Sequence, residues 1–94
     1  MSSATQREWR LYIADMADFA ARVQEYTAGF DQQSFIADRK TFDATVRNLE
    51  LIGEAASRVP ELVRVSNPQV PWRMIVATRN RLIHGYLEIG RAHV

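Results

Sequence analysis

Apolar residues in this chain recur every three to four positions, and no stretch alternates long enough to make a convincing strand. That period commits the chain to helices. From about Thr5 to Tyr26, the residues Trp9, Tyr12, Ile13, Met16, Phe19, Ala20, Val23 and Tyr26 make one apolar stripe, and Thr27-Ala28-Gly29 supplies the stop. A short helical turn is expected around Gln32 to Ala37. Asp38 is then the expected N-cap of a long helix ending just before Pro60. Pro60, Pro68 and Pro71 bracket a connection with one turn of helix, Glu61 to Val65. Pro71 opens a last helix from Trp72 to about His84, with Gly85 as its left-handed terminator. The expectation is an all-α, antiparallel helical bundle of three main helices plus short helical turns.

Size and composition narrow the class further. A chain of 94 residues and 10.8 kDa supports one compact domain with a modest core. It has no cysteine, which excludes a disulfide framework and a thiolate metal site and makes a cytoplasmic location the natural expectation. No apolar stretch is long enough to span a membrane, and the polar N-terminus does not read as a signal peptide. The formal net charge is only +1, yet its distribution is uneven. Every acid except Glu88 lies at or before Glu61, while residues 62–87 carry Arg64, Arg73, Arg79 and Arg81 and no acid. A basic C-terminal third suits a phosphate-rich partner, although arginines on a small domain also serve solubility alone.

On a helical wheel, Asp43, Arg47, Glu50, Glu54 and Arg58 share a sector of about 80° on the central helix. Asp43 to Arg47 and Glu54 to Arg58 are acid-before-base pairs of the kind that stabilise an exposed face. Gly53, Ala55 and Ala56 are small enough to admit another helix closely. In the last helix, Trp72, Ile75, Val76, Leu82, Ile83 and Tyr86 share an apolar arc of about 120°, and Arg79 falls in its middle. A guanidinium there costs several kcal/mol to desolvate unless something repays it, so a partner must face Arg79. Glu50 or Glu54 would do so within the fold; a bound phosphate in a cleft or across a subunit interface is the functional alternative. His84, five residues further on, lies about 140° away round the helix, so the two share a face only if the helix ends or distorts.

The segment Arg79-Asn80-Arg81-Leu82-Ile83-His84-Gly85-Tyr86 resembles the motif of the HEPN superfamily: an arginine, four residues of which the first is often polar, then a histidine. Tyr86, two residues after the histidine, resembles the HepT-like toxin branch. Trp9-Arg10-Leu11-Tyr12, Asp38-Arg39-Lys40-Thr41, Arg47-Asn48-Leu49-Glu50, Ile52-Gly53-Glu54-Ala55-Ala56 and Pro71-Trp72 look like the same branch, so the resemblance covers about residues 7–87. It implies a homodimeric toxin that cleaves RNA without a metal and is neutralised by a partner MNT nucleotidyltransferase antitoxin.

That chemistry suits the residues. Attack of a ribose 2′-hydroxyl on the adjacent phosphate needs a group that titrates near neutrality, which His84 supplies, and Arg79 would offset the charge that develops at phosphorus. The expected catalytic pair is therefore Arg79 and His84, with Asn80 in support and Arg73 and Arg81 as RNA-binding residues. By the same resemblance, Tyr86 is the residue whose phenol the antitoxin nucleotidylates, which would put bulk and negative charge near the site. No metal ligand set, phosphate loop or activated serine is visible, so no metal and no cofactor are expected. The alternative, from another class, is a non-catalytic helical interaction module that binds a nucleotidyltransferase and is modified by it.

Glu88-Ile89-Gly90-Arg91-Ala92-His93-Val94 is what GAG ATC GGA AGA GCA CAC GTC would encode, and from its second base that string reads as a sequencing-library adapter. Residues 88–94 are therefore expected to be a non-native tail, and residues 1–87 a HEPN-like helical domain truncated at its C-terminus.

Overall fold

The computed structural model describes the backbone of residues 3–92 and the side chains of residues 8–85. Five helices follow in order: α1 (Ser3–Thr27), α2 (Gln32–Ala37), α3 (Arg39–Ser57), α4 (Glu61–Ser66) and α5 (Trp72–Ala92). The fold is an all-α bundle with α3 at its centre, packed against α1 and α5 and touched by α2. The fully covered residues reflect that position. Thr45, Val46, Asn48, Gly53, Ala55 and Ala56 lie on α3 and Val59 just past its end. The outer helices bury one stripe and leave the other side wet, as their single-stripe pattern requires.

Local signals set the boundaries. Gly29 takes φ 81°, the left-handed value that lets the chain leave α1. Asp31 caps α2: its carboxylate accepts from the Ser34 backbone N–H at 2.8 Å, while the Ser34 hydroxyl accepts from the Asp31 N–H at 3.1 Å. Hydrogen bonds from Ser34, its backbone N–H first, hold the Asp31 carboxyl below its ordinary range. Asp38 caps α3 through the Thr41 N–H at 3.1 Å. The Trp72 indole N–H donates to the Asn67 carbonyl at 3.0 Å, pinning the start of α5 to the end of α4. Among the described residues, no helix is long and apolar enough to cross a membrane.

One expectation is overturned. Gly85 does not terminate the last helix; Gly29 is the glycine with positive φ, and α5 runs on to Ala92. Glycine permits a left-handed stop without enforcing one, and a mid-helix glycine costs only about 1 kcal/mol. The backbone beneath His84 is therefore regular helix. Of the expected non-native tail, residues 93–94 and the side chains of 88–92 lie outside the described residues, as does the side chain of Tyr86.

Small residues on α3 admit α5. A Cβ on Gly53 would overlap the Cβ of Arg79, with the Arg79 Cγ at 2.8 Å and the Ile75 carbonyl oxygen at 3.2 Å. The first and last obstacles cannot swing aside. Gly53→Ala is therefore expected to destabilise the fold by about 1–3 kcal/mol through overpacking, although helix propensity alone would make it about 1 kcal/mol stabilising. Thermal melts followed by circular dichroism at fixed protein concentration decide the sign: a lower Tm supports close packing at Gly53, and a higher one contradicts it.

Candidate active site

Arg79 enters the α3–α5 contact directly over Gly53, and α3 supplies its partner one residue later. The Arg79 Nη2 donates to Glu54 Oε2 at 2.6 Å, and Nη1 donates to the side-chain oxygen of Asn80 at 3.2 Å. The Arg79 and Glu54 side chains are 31% and 38% exposed. This pair is thus neither a surface ion pair nor a sealed one: solvent reaches it. Of the two carboxylates that the sequence offered, Glu54 makes the bond. Glu50 is instead bonded to Arg47, at 3.4 Å.

The Glu54 carboxylate is shared. Its other oxygen accepts from Arg58 at 3.1 Å, and the Arg58 guanidinium lies 5.9 Å from the centre of the Tyr12 ring on α1. Tyr12 first and Glu54 second raise the proton affinity of Arg58, so it stays cationic throughout the useful pH range. A run of contacts therefore leads from Tyr12 through Arg58 and Glu54 to Arg79, crossing all three long helices. Arg47, Glu50, Leu51, Glu54, Arg79 and Ile83 line one small depression in which two cations and two anions meet.

His84 lies elsewhere on α5. It is exposed, and with Asn80, Arg81 and Gly85 it lines a separate open depression. Because α5 is continuous, the angle of about 140° between Arg79 and His84 is not relieved by any distortion. Within one chain the structure brings His84 together with Asn80 and Arg81, and Arg79 together with Glu54. Asn80 belongs to both groups: its side chain accepts from Arg79 while its position borders the His84 depression. Arg73, also expected to contact RNA, is exposed at the start of α5 and lines a third depression, with Arg64 of α4.

Sequence reasoning did not single out Arg64, because its convergence with Arg73 depends on how α4 folds back on α5. Nor did it foresee Thr45 and Asn48 as buried polar residues. Asn48 donates to the Ala44 carbonyl at 2.8 Å, leaving its own side-chain oxygen and the Thr45 hydroxyl buried without a partner among the described residues.

Comparison with known proteins agrees with the motif. The family model described as "Ribonuclease HepT-like" matches residues 16–94. A protein of Thermococcus cleftensis named "Probable ribonuclease HepT" is 33% identical over 89% of this chain and 76% of its own length. A "Putative RNase" of Methanocaldococcus jannaschii is 33% identical over 90% of this chain and 70% of its own. Another of that name, from Caldanaerobacter subterraneus, is 37% identical over 92% and 74%. No solved structure matches the chain.

The geometry makes Glu54 the group that fixes the Arg79 guanidinium. Glu54→Ala is expected to lower stability by about 1–2 kcal/mol, between the values of exposed and buried pairs. It should also raise the mobility of the Arg79 Nε–H in side-chain ¹⁵N relaxation. An Arg79 guanidinium as rigid in the variant as in the wild type would contradict this role.

Proposed function

The chain belongs to the HepT-like ribonuclease family of the HEPN superfamily, and from that premise we propose that it is a metal-independent endoribonuclease acting as the toxin of a toxin–antitoxin module, with Arg79 and His84 as the catalytic pair. The observation that carries the reading is the disposition of the motif on α5: a half-buried arginine fixed by a carboxylate, and an exposed histidine flanked by Asn80 and Arg81.

In this reading the substrate supplies its own nucleophile. The ribose 2′-oxygen bonds to the adjacent phosphorus, the bond from phosphorus to the 5′-oxygen breaks, and the products are a 2′,3′-cyclic phosphate and a 5′-hydroxyl. His84 moves the proton, taking it from the 2′-hydroxyl and passing it to the departing 5′-oxygen, since an imidazole nitrogen can accept and donate in turn. Arg79 places a planar fork of donors where charge builds on the phosphoryl oxygens. Glu54 already holds Nη2, which fixes the plane of that fork before substrate arrives. Asn80 links the two, and Arg81 and Arg73 hold the flanking phosphates.

Arg79 and His84 face different ways on one helix, so one chain does not present both to a single phosphodiester. A homodimer removes the conflict: two α5 helices side by side bring the arginine of one chain near the histidine of the other. Regulation follows the same geometry. Tyr86 follows Arg79 by seven residues, which is about two turns of an ideal helix. A partner nucleotidyltransferase antitoxin that bonds the phenol oxygen to the α-phosphorus of a nucleoside triphosphate, releasing pyrophosphate, adds bulk and negative charge on the arginine side. RNA phosphate is then repelled from Arg79.

Incubation of the purified protein with RNA in EDTA tests the enzyme reading. Wild-type protein should generate new 5′-hydroxyl ends. His84→Ala should slow cleavage by about 10²–10⁴-fold and Arg79→Ala by about 10²–10³-fold, with helical content unchanged by circular dichroism. Arg58 remains to pair Glu54 when Arg79 is removed, which favours an intact fold. Cleavage retained by His84→Ala would refute the role assigned to it. No 5′-hydroxyl ends from wild-type protein would leave the non-catalytic interaction module as the better reading.

A further inference from the structure

Two unpaired arginines converge on an open groove at the opposite end of α5's wet face from His84. Arg47 is matched with Glu50, and Arg58 and Arg79 with Glu54. Arg64 and Arg73 are in no ion pair among the described residues, and the Arg64 Nε is covered and finds no acceptor. Both line a groove of about 510 Å³ between α4 and the start of α5. Its walls include Trp72, whose indole is pinned by the Asn67 carbonyl, and Val65 and Met74, which remain 69% and 66% exposed. Glu61 is the one acid on its rim. Bare apolar side chains beside unpaired guanidiniums match a ligand with a flat apolar face and a negative charge, which is the composition of a nucleotide.

The groove is also in line with the site. On α5, Arg73, Ala77, Asn80 and His84 fall within about 60° of one another round the axis, and Arg73 to His84 is about 16 Å along it. Arg79 is not on this stripe. An extended single strand laid along the stripe from His84 therefore passes Asn80 and reaches the groove within a few nucleotides.

Resting on the ribonuclease reading above, we propose that the Arg64–Arg73 groove is a distal nucleotide subsite: it packs one base against Trp72, Val65 and Met74, holds the neighbouring phosphate with the two guanidiniums, and so selects single-stranded RNA that extends beyond the scissile bond. The occupant is RNA rather than a second protein chain because both guanidiniums lack a carboxylate partner and the groove continues the face that carries His84.

The test uses a fluorescein-labelled 2′-O-methyl oligouridylate of about ten nucleotides, which lacks the attacking hydroxyl and reports binding without cleavage. In anisotropy titrations, Arg73→Ala and Arg64→Ala should each weaken binding about three- to tenfold and make the salt dependence shallower by about 0.7 in log–log slope. Arg73→Lys should keep the wild-type slope. Because Arg64 is partly covered and its removal could disturb α4, photocrosslinking of a 4-thiouridine oligonucleotide to wild-type protein provides a second measure; adducts should map to the peptide holding Trp72 and Met74. Unchanged affinity and slope in both alanine variants, or crosslinks confined to residues 79–85, would overturn the subsite. So would a loss of affinity accompanied by a lower sedimentation coefficient, which would make the groove a subunit seat. Failure of RNA cleavage by wild-type protein would instead strike the ribonuclease reading, so the two failures are distinguishable.

Discussion

The ion pair between Arg79 and Glu54 is the contact on which the arrangement turns. An arginine on the inner face of a helix must be neutralised where it lies, and here the carboxylate comes from the neighbouring helix at 2.6 Å. For that to happen α3 and α5 must approach closely, and Gly53, one residue before Glu54, is the reason they do. The pair therefore acts as a register pin: sliding α5 by a turn would take the guanidinium away from its carboxylate and leave it against apolar atoms. Arg58 and Tyr12 extend the same network to α1, so the orientation of one guanidinium is tied to the packing of the whole bundle.

Fixing Arg79 in this way has a cost in geometry. Once the arginine points toward α3, a regular helix carries the fifth residue after it well round the axis, so His84 faces solvent on another side. A monomer with this helix has an anchored cation and an exposed imidazole that line different depressions. In the dimeric reading that deficit becomes the mechanism: each chain is inert alone, and pairing assembles the site. Asn80 is bonded to Arg79 and borders the His84 depression.

Much of the fold is legible in the amino-acid order alone. The short helix over Gln32–Ala37, the Asp38 cap and the stop at Gly29 follow from backbone chemistry that depends on a few adjacent residues, and they appear where expected. The misplaced Arg79 is visible on a wheel because burying a guanidinium is costly wherever the rest of the chain goes. A choice between Glu50 and Glu54 is not, since the two lie one turn apart and only the packing of α5 selects one. Gly85 misleads because glycine is equally compatible with stopping a helix and continuing it. The convergence of Arg64 on Arg73 is hidden because a turn between two helices makes it, which no wheel for a single helix contains. The buried Thr45 and Asn48 are hidden for a similar reason: α3 is covered from two sides, so residues outside its apolar stripe are also enclosed.

A site shared between two chains is the central claim, and subunit complementation tests it most directly. Arg79→Ala and His84→Ala chains, each inactive alone, are unfolded and refolded together, and RNA cleavage is measured in EDTA. A mixed dimer keeps one site with an intact arginine from one chain and an intact histidine from the other, so random pairing should restore about a quarter of wild-type activity. Two such chains that stay inactive after demonstrated exchange of subunits would mean that Arg79 and His84 must come from the same chain, which contradicts a composite site.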